Sequence, residues 1–210
     1  MKLYNIHVGM LDTNCYVMKN EENNEGIIVD PGADATRILS AVQELKLVKV
    51  AAILVTHAHG DHIGALEEVR QATKAPVYIS AKDAPALADP DANLIRWLGM
   101  DAQIGKPEYT VEDEEEIEVA GMKFKCLLTP GHTVGGMCFA NAENNITFVG
   151  DTIFCESIGR TDFPGGSYKQ LLSSIRAKLF TLDNEMRLLP GHGPATTVAW
   201  EKKRNPFLQD

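Results

Sequence analysis

The segment Thr56-His57-Ala58-His59-Gly60-Asp61-His62 constrains this chain more than any other stretch. It places four metal-type ligands within six residues, directly after the apolar run Ala51-Ala52-Ile53-Leu54-Val55. That run reads as a buried strand, so His57 and His59, two apart on extended backbone, lean the same way and can reach one ion. Gly60 lets the chain turn sharply. Asp61 and His62 then open a segment in which Ile63, Leu66, Val69 and Arg70 recur at helical spacing, which points both side chains back toward the same place.

One histidine in such a turn is ordinarily a satisfied structural residue, and one aspartate there is ordinarily a helix cap. The rest of the chain argues for more than that. His132 sits in Thr129-Pro130-Gly131-His132-Thr133, His192 in Leu189-Pro190-Gly191-His192-Gly193, and Asp151 ends the apolar run Ile146-Thr147-Phe148-Val149-Gly150. Five of the six histidines thus lie in glycine-flanked turns that follow apolar stretches. Ligand types repeated at strand ends read as a metal site.

Composition narrows the setting. A length of 210 residues suits one domain spanning 1–210, or two fused halves sharing a core, and is ample to bury a sizeable interior. With 20 basic against 29 acidic side chains the formal charge is −9, and no basic cluster exceeds Lys202-Lys203-Arg204, so nucleic acid is not an expected partner. The start Met1-Lys2-Leu3-Tyr4-Asn5-Ile6-His7 lacks a signal-peptide core, and no apolar run approaches bilayer length. A cytoplasmic protein with no membrane partner is expected. Cys15, Cys126, Cys138 and Cys155 form no C-x-x-C pair and read as small core residues. Cys155 alone falls in a loop expected to face the site.

Taken in order, Leu3–Val8, Asn14–Met18 and Gly26–Asp30 read as an antiparallel opening, and Asp34 reads as the cap of a helix with Ile38, Leu39, Val42 and Leu45 inward. Asp30, polar at a strand end, is expected to hydrogen-bond to the metal ligands. Val77–Ser80 is a strand and Ala81–Leu87 a helix. Residues 88–107 read as an amphipathic helix or subunit contact, with a substrate flap as the sharper alternative. The acidic run Glu112–Glu116 reads as a solvated turn. Met122–Leu128 alternates as a half-buried strand, and Gly135–Ala140 with Ile146–Val149 form the next hairpin. Ser167 caps a helix with Leu171, Leu172, Ile175 and Leu179 inward; Met186–Leu189 is the last strand, and Val198–Phe207 a closing helix. Strands and helices followed by strands and helices suggest two similar halves with the site between them.

These residues resemble the metallo-β-lactamase superfamily. Its H-x-H-x-D-H motif is His57-Ala58-His59-Gly60-Asp61-His62, and His132, Asp151 and His192 follow in the family's order; Asn14-Cys15-Tyr16 and Asp30-Pro31-Gly32 extend the match toward the start. The resemblance implies an α/β fold, a four-layer αβ/βα sandwich with a two-metal site at one edge. It implies that His57, His59 and His132 hold one metal and Asp61, His62 and His192 the other, with Asp151 bridging. Imidazole and carboxylate ligands without thiolate suit zinc and tolerate iron or manganese. In a two-metal hydrolase the ions lie roughly 3.5–4 Å apart and generate a shared hydroxide at neutral pH, which Asp61 would also orient as a catalytic residue. Two divalent ions set against Asp61, Asp151 and a hydroxide leave a local charge of about +1, and beyond about 8 Å the acidic surface is screened. An anionic small-molecule thioester such as S-lactoylglutathione is therefore the expected substrate.

The true glyoxalase II enzymes carry a C-terminal helical domain for glutathione, and these 210 residues leave no room for one. The loop Gly159-Arg160-Thr161-Asp162-Phe163 is more similar to persulfide dioxygenases and to small glyoxalase II-like proteins. Arg160 could grip a substrate carboxylate or pair with Asp162 to stiffen the loop. The resemblance implies a glyoxalase II-like thioester hydrolase first. A non-haem iron dioxygenase, with one iron on two histidines and an aspartate, is the alternative, and lactonase or β-lactamase chemistry ranks below both.

Overall fold

A computed structural model of the chain describes residues 1–209. The first half comprises β1 (Lys2–Val8), β2 (Thr13–Lys19), β3 (Glu25–Val29), α1 (Ala35–Glu44), β4 (Lys49–Leu54), α2 (Gly60–Ile63), α3 (Leu66–Thr73), β5 (Val77–Ser80) and β6 (Tyr109–Val111). The second comprises β7 (Glu116–Val119), β8 (Met122–Leu128), β9 (Met137–Asn141), β10 (Ile146–Gly150), β11 (Ile153–Phe154), β12 (Ser157–Ile158), α4 (Tyr168–Ser174), β13 (Arg187–Pro190), β14 (Thr196–Thr197) and α5 (Val198–Arg204). One six-stranded sheet runs β1-β2-β3-β4-β5-β6 and the other β14-β13-β10-β9-β8-β7. The first opens antiparallel and turns parallel from β3 onward.

Alternation along the strands builds the layers. In β2, Tyr16 and Met18 face one way and Val17 the other; in β3, Ile27 and Val29 oppose Ile28; in β4, Leu54 opposes Ile53. The set Met18, Ile27, Val29 and Leu54 meets Phe124, Phe139, Ile146 and Phe148 between the two sheets. Val17, Ile28 and Ile53 pack instead on Ile38, Leu66 and Val69 of α1 and α3. On the far side Leu127, Cys138, Val149 and Leu188 pack on Leu171, Ile175, Leu179 and Val198. Three apolar clusters thus separate four layers, helix–sheet–sheet–helix, the expected α/β sandwich. The central strands are apolar on both faces because both faces are covered. Each fully buried phenylalanine between the sheets contributes about 1.5–3 kcal/mol.

Several local expectations are corrected. The helix expected from Asp61 through Arg70 is two, because the chain breaks at Gly64 and Ala65 before α3 begins. Asp34 precedes α1 but makes no capping bond: its backbone is left-handed at φ 54, and its carboxylate accepts instead from Gly9 N and Arg37 Nη1. Ala81–Leu87 is not an α-helix; a 3₁₀ turn spans Ala84–Ala88. Beyond Ala88, residues 89–107 hold no helix either. Turns run through 90–99, anchored by buried Asn93 and Ile95, whose spacing satisfies local turn bonds rather than a helical ladder, and 101–107 are irregular. Ser167 does cap α4, which continues as a π-helical turn over Ile175–Leu179. The closing helix ends at Arg204, because Asn205 turns extended before Pro206. All four cysteines are unpaired, three of them buried. Among the described residues no helix is long and apolar enough to cross a membrane.

Candidate metal centre

The C-terminal ends of β3, β4, β8, β10 and β13 open onto one edge of the sandwich, and each carries a polar residue into it: Asp30, His57 with His59, His132, Asp151 and His192. Together with Asp61 and His62, on the first turn of α2, the predicted side chains converge. Their ligand atoms form three overlapping groups, each within 4.8 Å: His57, His59 and His132; His57, His62 and Asp151; Asp61, His62 and His192. Asp151 lies between the outer groups, with Oδ1 3.4 Å from His62 Nε2 and Oδ2 3.6 Å from both His132 Nε2 and His192 Nε2.

Hydrogen bonds around the rim set the tautomers. His132 Nδ1 donates to Arg160 O at 2.7 Å, and His192 Nδ1 donates to Leu11 O at 3.1 Å. His62 Nδ1 donates to Asp30 Oδ2 at 3.0 Å. The Thr56 hydroxyl donates to Asp30 Oδ2 at 2.7 Å and so is left to accept from His57 Nδ1 at 3.1 Å. Each of these rings then turns a bare Nε2 inward. His132 Nε2 faces His57 Nε2 at 3.2 Å and His59 Nδ1 at 2.9 Å, and His192 Nε2 faces Asp61 Oδ2 at 3.1 Å. Lone pairs aimed at one another repel. His62 Nε2 and Asp151 Oδ1 are moreover buried without any hydrogen-bond partner. Acceptor atoms crowded this closely, two of them buried without a partner, fit cations.

Electrostatics follow from the same packing. Burial, together with the neighbouring imidazoles, pushes His57 well below the usual histidine range, and burial with His132 pushes His59 down to about 3. Burial opposes charge on His62 too, but Asp61, Asp151 and Asp30 around it win and raise it. Burial would raise Asp61, yet the imidazoles of His62 and His192 beside it hold its carboxyl below the ordinary carboxylate range; Asp151 is lowered likewise by His62. His57 and His59 are thereby kept neutral beside ionised Asp61 and Asp151, as metal binding needs. His62 and His192, both raised against burial by the carboxylates around them, would release a proton as a metal entered.

Asp30 anchors this arrangement, as expected of it. It accepts from Thr56 N, the Thr56 hydroxyl and His62 Nδ1, and these three bonds hold its own backbone at φ 51, a left-handed value uncommon for aspartate. Residues that drew no attention in the sequence complete the frame. Asp83, buried, accepts from Ala58 N at 3.2 Å and the Thr133 hydroxyl at 2.8 Å, tying the His57–His59 segment to the His132 loop. Thr13 donates to Asp61 Oδ2 at 3.2 Å. Asn14 Nδ2 donates to Pro190 O and Gly193 O, and Tyr16 Oη to Pro190 O, clamping the turn that carries His192. No local pattern marks Asp83, because its partners lie 25 and 50 residues away.

Arg160 is placed at the mouth but is engaged. Its guanidinium makes a two-pronged pair with Asp162, at 2.9 and 2.8 Å, and stacks 4.2 Å over Phe163. The stiffening role therefore outweighs the substrate grip. Residues 88–107 cover the site after all: Leu94, Trp97 and Leu98 wall its chamber together with Leu11, Phe154 and Phe163.

Gly191 permits a close approach of the backbone to two of the candidate ligand side chains. A Cβ there would lie 2.2 Å from Asp151 Oδ1 and 2.5 Å from His62 Cε1. Gly191→Ala is therefore expected to lower metal content by displacing both groups while secondary structure is retained. Elemental analysis beside circular dichroism tests this, and a fully metallated variant would contradict it.

The metallo-beta-lactamase superfamily pattern matches residues 8–192. A probable metallo-hydrolase from Streptococcus pyogenes is 39% identical over 99% of this chain and 90% of its own length. The hydroxyacylglutathione hydrolase GloC from Haemophilus influenzae is 36% identical over 99% of this chain and 98% of its own. Among solved structures, BLEG-1, a B3 metallo-beta-lactamase, is similar at TM-score 0.94 and 36% identity with complete coverage of both chains. TTHA1623, solved in a di-iron-bound form, is similar at TM-score 0.85 and 35% identity over 98% of this chain and 100% of its own. ETHE1 from Myxococcus xanthus is similar at TM-score 0.81 and 29% identity over 98% and 84%.

Proposed function

The chain belongs to the metallo-beta-lactamase superfamily, and we propose that within it this protein is a binuclear metal-dependent hydrolase of small thioesters. The observation that carries the reading is the inward-facing set of bare imidazole nitrogens around the unpartnered Asp151 Oδ1. His57, His59 and His132 are assigned to one ion, Asp61, His62 and His192 to the other, and Asp151 to both. The donor set suits zinc first, and iron or manganese as well. The likeness to a protein solved with two irons keeps iron in view.

Two such ions, when bound, supply carbonyl polarisation and a water acidified from 15.7 to about 7. The chain's own residues supply position. Asp61, held at Oδ2 by the Thr13 hydroxyl, is the catalytic carboxylate that orients the attacking oxygen. A C–O bond forms at the acyl carbon, the C–S bond breaks, and the thiolate leaves without needing a general acid. Carboxylate and thiol are the products. Leu94, Trp97, Phe154 and Phe163 around the chamber limit bulk water. A cytoplasmic setting belongs to this reading, since four unpaired cysteines suit a reducing compartment.

Protein purified anaerobically is expected to carry about two metals per chain, and to hydrolyse S-lactoylglutathione or a simpler thioester equally with and without oxygen. Elemental analysis and thiol release measure this, with oxygen uptake on glutathione persulfide as the counter-assay. One iron per chain with rapid oxygen consumption would replace the hydrolase by an iron dioxygenase.

A further inference from the structure

The chamber over the candidate centre has an annex. A chamber of about 330 Å³ and a second cavity of about 170 Å³ share Leu11, Asp61 and Leu98 in their walls. The annex is otherwise lined by the backbone of Gly9 and Gly32 and by apolar side chains, Val8, Met10, Ala33 and Met100 among them, with Met10 at its solvent edge. Its two polar side chains are already paired with each other: the fully buried Thr13 donates its hydroxyl to Asp61 Oδ2, which also faces His192 Nε2. No lysine or arginine lines it. The one cation of the larger chamber, Arg160, is bound to Asp162.

Geometry and chemistry then select an occupant. The annex opens beside Asp61, so an acyl carbon held at the centre has its substituent within reach of the opening. A hydroxyl carried into the annex would lose water without gaining a free partner, whereas methylenes lose nothing by entering. If a methylene takes about the liquid share of one water, roughly 30 Å³, about five fit. Resting on the thioesterase reading above, we propose that this annex is the acyl subsite, and that the enzyme selects unbranched apolar acyl thioesters of about four to six carbons over lactoyl and other hydroxylated acyl groups. Specificity then resides in the acyl half of the substrate, because the chamber offers no free cation for an anionic thiol half.

The test uses metal-loaded protein and N-acetylcysteamine thioesters of acetate, butyrate, hexanoate and lactate, which share one thiol. Calorimetric titration with the free straight-chain carboxylates gives a readout apart from turnover. The expected rise in kcat/KM is about fourfold per methylene, the ratio to which ~0.8 kcal/mol per buried CH₂ converts. Lactoyl is expected to fall below butyryl, and carboxylate affinity to follow chain length in the same order. Ala33→Leu, which narrows the annex, should lower the hexanoyl-to-acetyl ratio at least tenfold. Met100→Ala, which widens it, should move the optimum to longer chains. A profile flat in chain length, in turnover and in carboxylate binding, or one unmoved by both variants, overturns the subsite and leaves the thioesterase standing. Carboxylate affinity that rises with chain length, with no thioester hydrolysed, keeps the subsite and overturns the thioesterase.

Discussion

Asp151→Ala is expected to release one of two bound metal equivalents and to cut thioester turnover by about a thousandfold, roughly 4 kcal/mol of barrier. The reason lies in its placement. Asp151 follows β10, and its carboxylate reaches toward His62 with one oxygen and toward His132 and His192 with the other. It is the acidic side chain in the centre that faces both outer ligand groups, so its loss uncouples the two ions. Its carboxylate adds nothing to the apolar clusters, so metal-free protein should unfold at close to the wild-type temperature. Metal content, steady-state turnover and thermal unfolding measured on one preparation test all three parts. Two metals per chain with near-normal turnover would refute the bridging role.

Asp30→Ala should instead strike stability. The carboxylate is 2% exposed and accepts three hydrogen bonds, from Thr56 N, the Thr56 hydroxyl and His62 Nδ1. Truncation strands three buried donors, each costing about 1–3 kcal/mol when left unmade. A loss of about 3–5 kcal/mol follows, which for a chain of this length lowers Tm by roughly 6–20 °C. Metal affinity falls as well, because His62 loses the partner that fixes its tautomer. Asp30→Asn separates the effects: it keeps the volume but presents an amide donor toward His62, so it should recover part of the stability and little of the metal affinity. Thermal unfolding with and without added zinc measures both. A Tm within two degrees of wild type for Asp30→Ala would show that the three bonds stabilise little.

Most strands were legible because their physics is local; the four-layer sandwich itself followed from the family resemblance carried by the His57–His62 motif and not from spacing. Alternation in Met122–Leu128 reflects a strand with Lys123 and Lys125 on an exposed face, whereas the apolar runs before His57, Asp151 and His192 reflect strands covered on both faces. Such patterns survive without knowledge of the partner strand. Helix boundaries were less legible. Asp34 has the residue type of a cap, but its left-handed backbone turns the carboxylate to Gly9 and Arg37. The turns of residues 90–99 depend on Asn93 seated beneath them, a tertiary fact with no periodic signature.

The candidate centre divides along the same line. Which residues could serve as ligands is legible in the chain, since imidazoles and carboxylates at strand ends are chemistry that position cannot disguise. Their orientation is not. Which nitrogen of His132 or His192 faces inward is set by Arg160 O and Leu11 O, 28 and 181 residues away in the chain. Arg160 could equally have been a free substrate contact until the loop folded Asp162 against it. The annex beside Asp61 arises only where the first hairpin, the turn at Gly32 and the loop bearing Leu98 and Met100 meet. Residue type dictates which groups can bond. Their protonation, reach and enclosure depend on neighbours brought in by packing from distant parts of the chain.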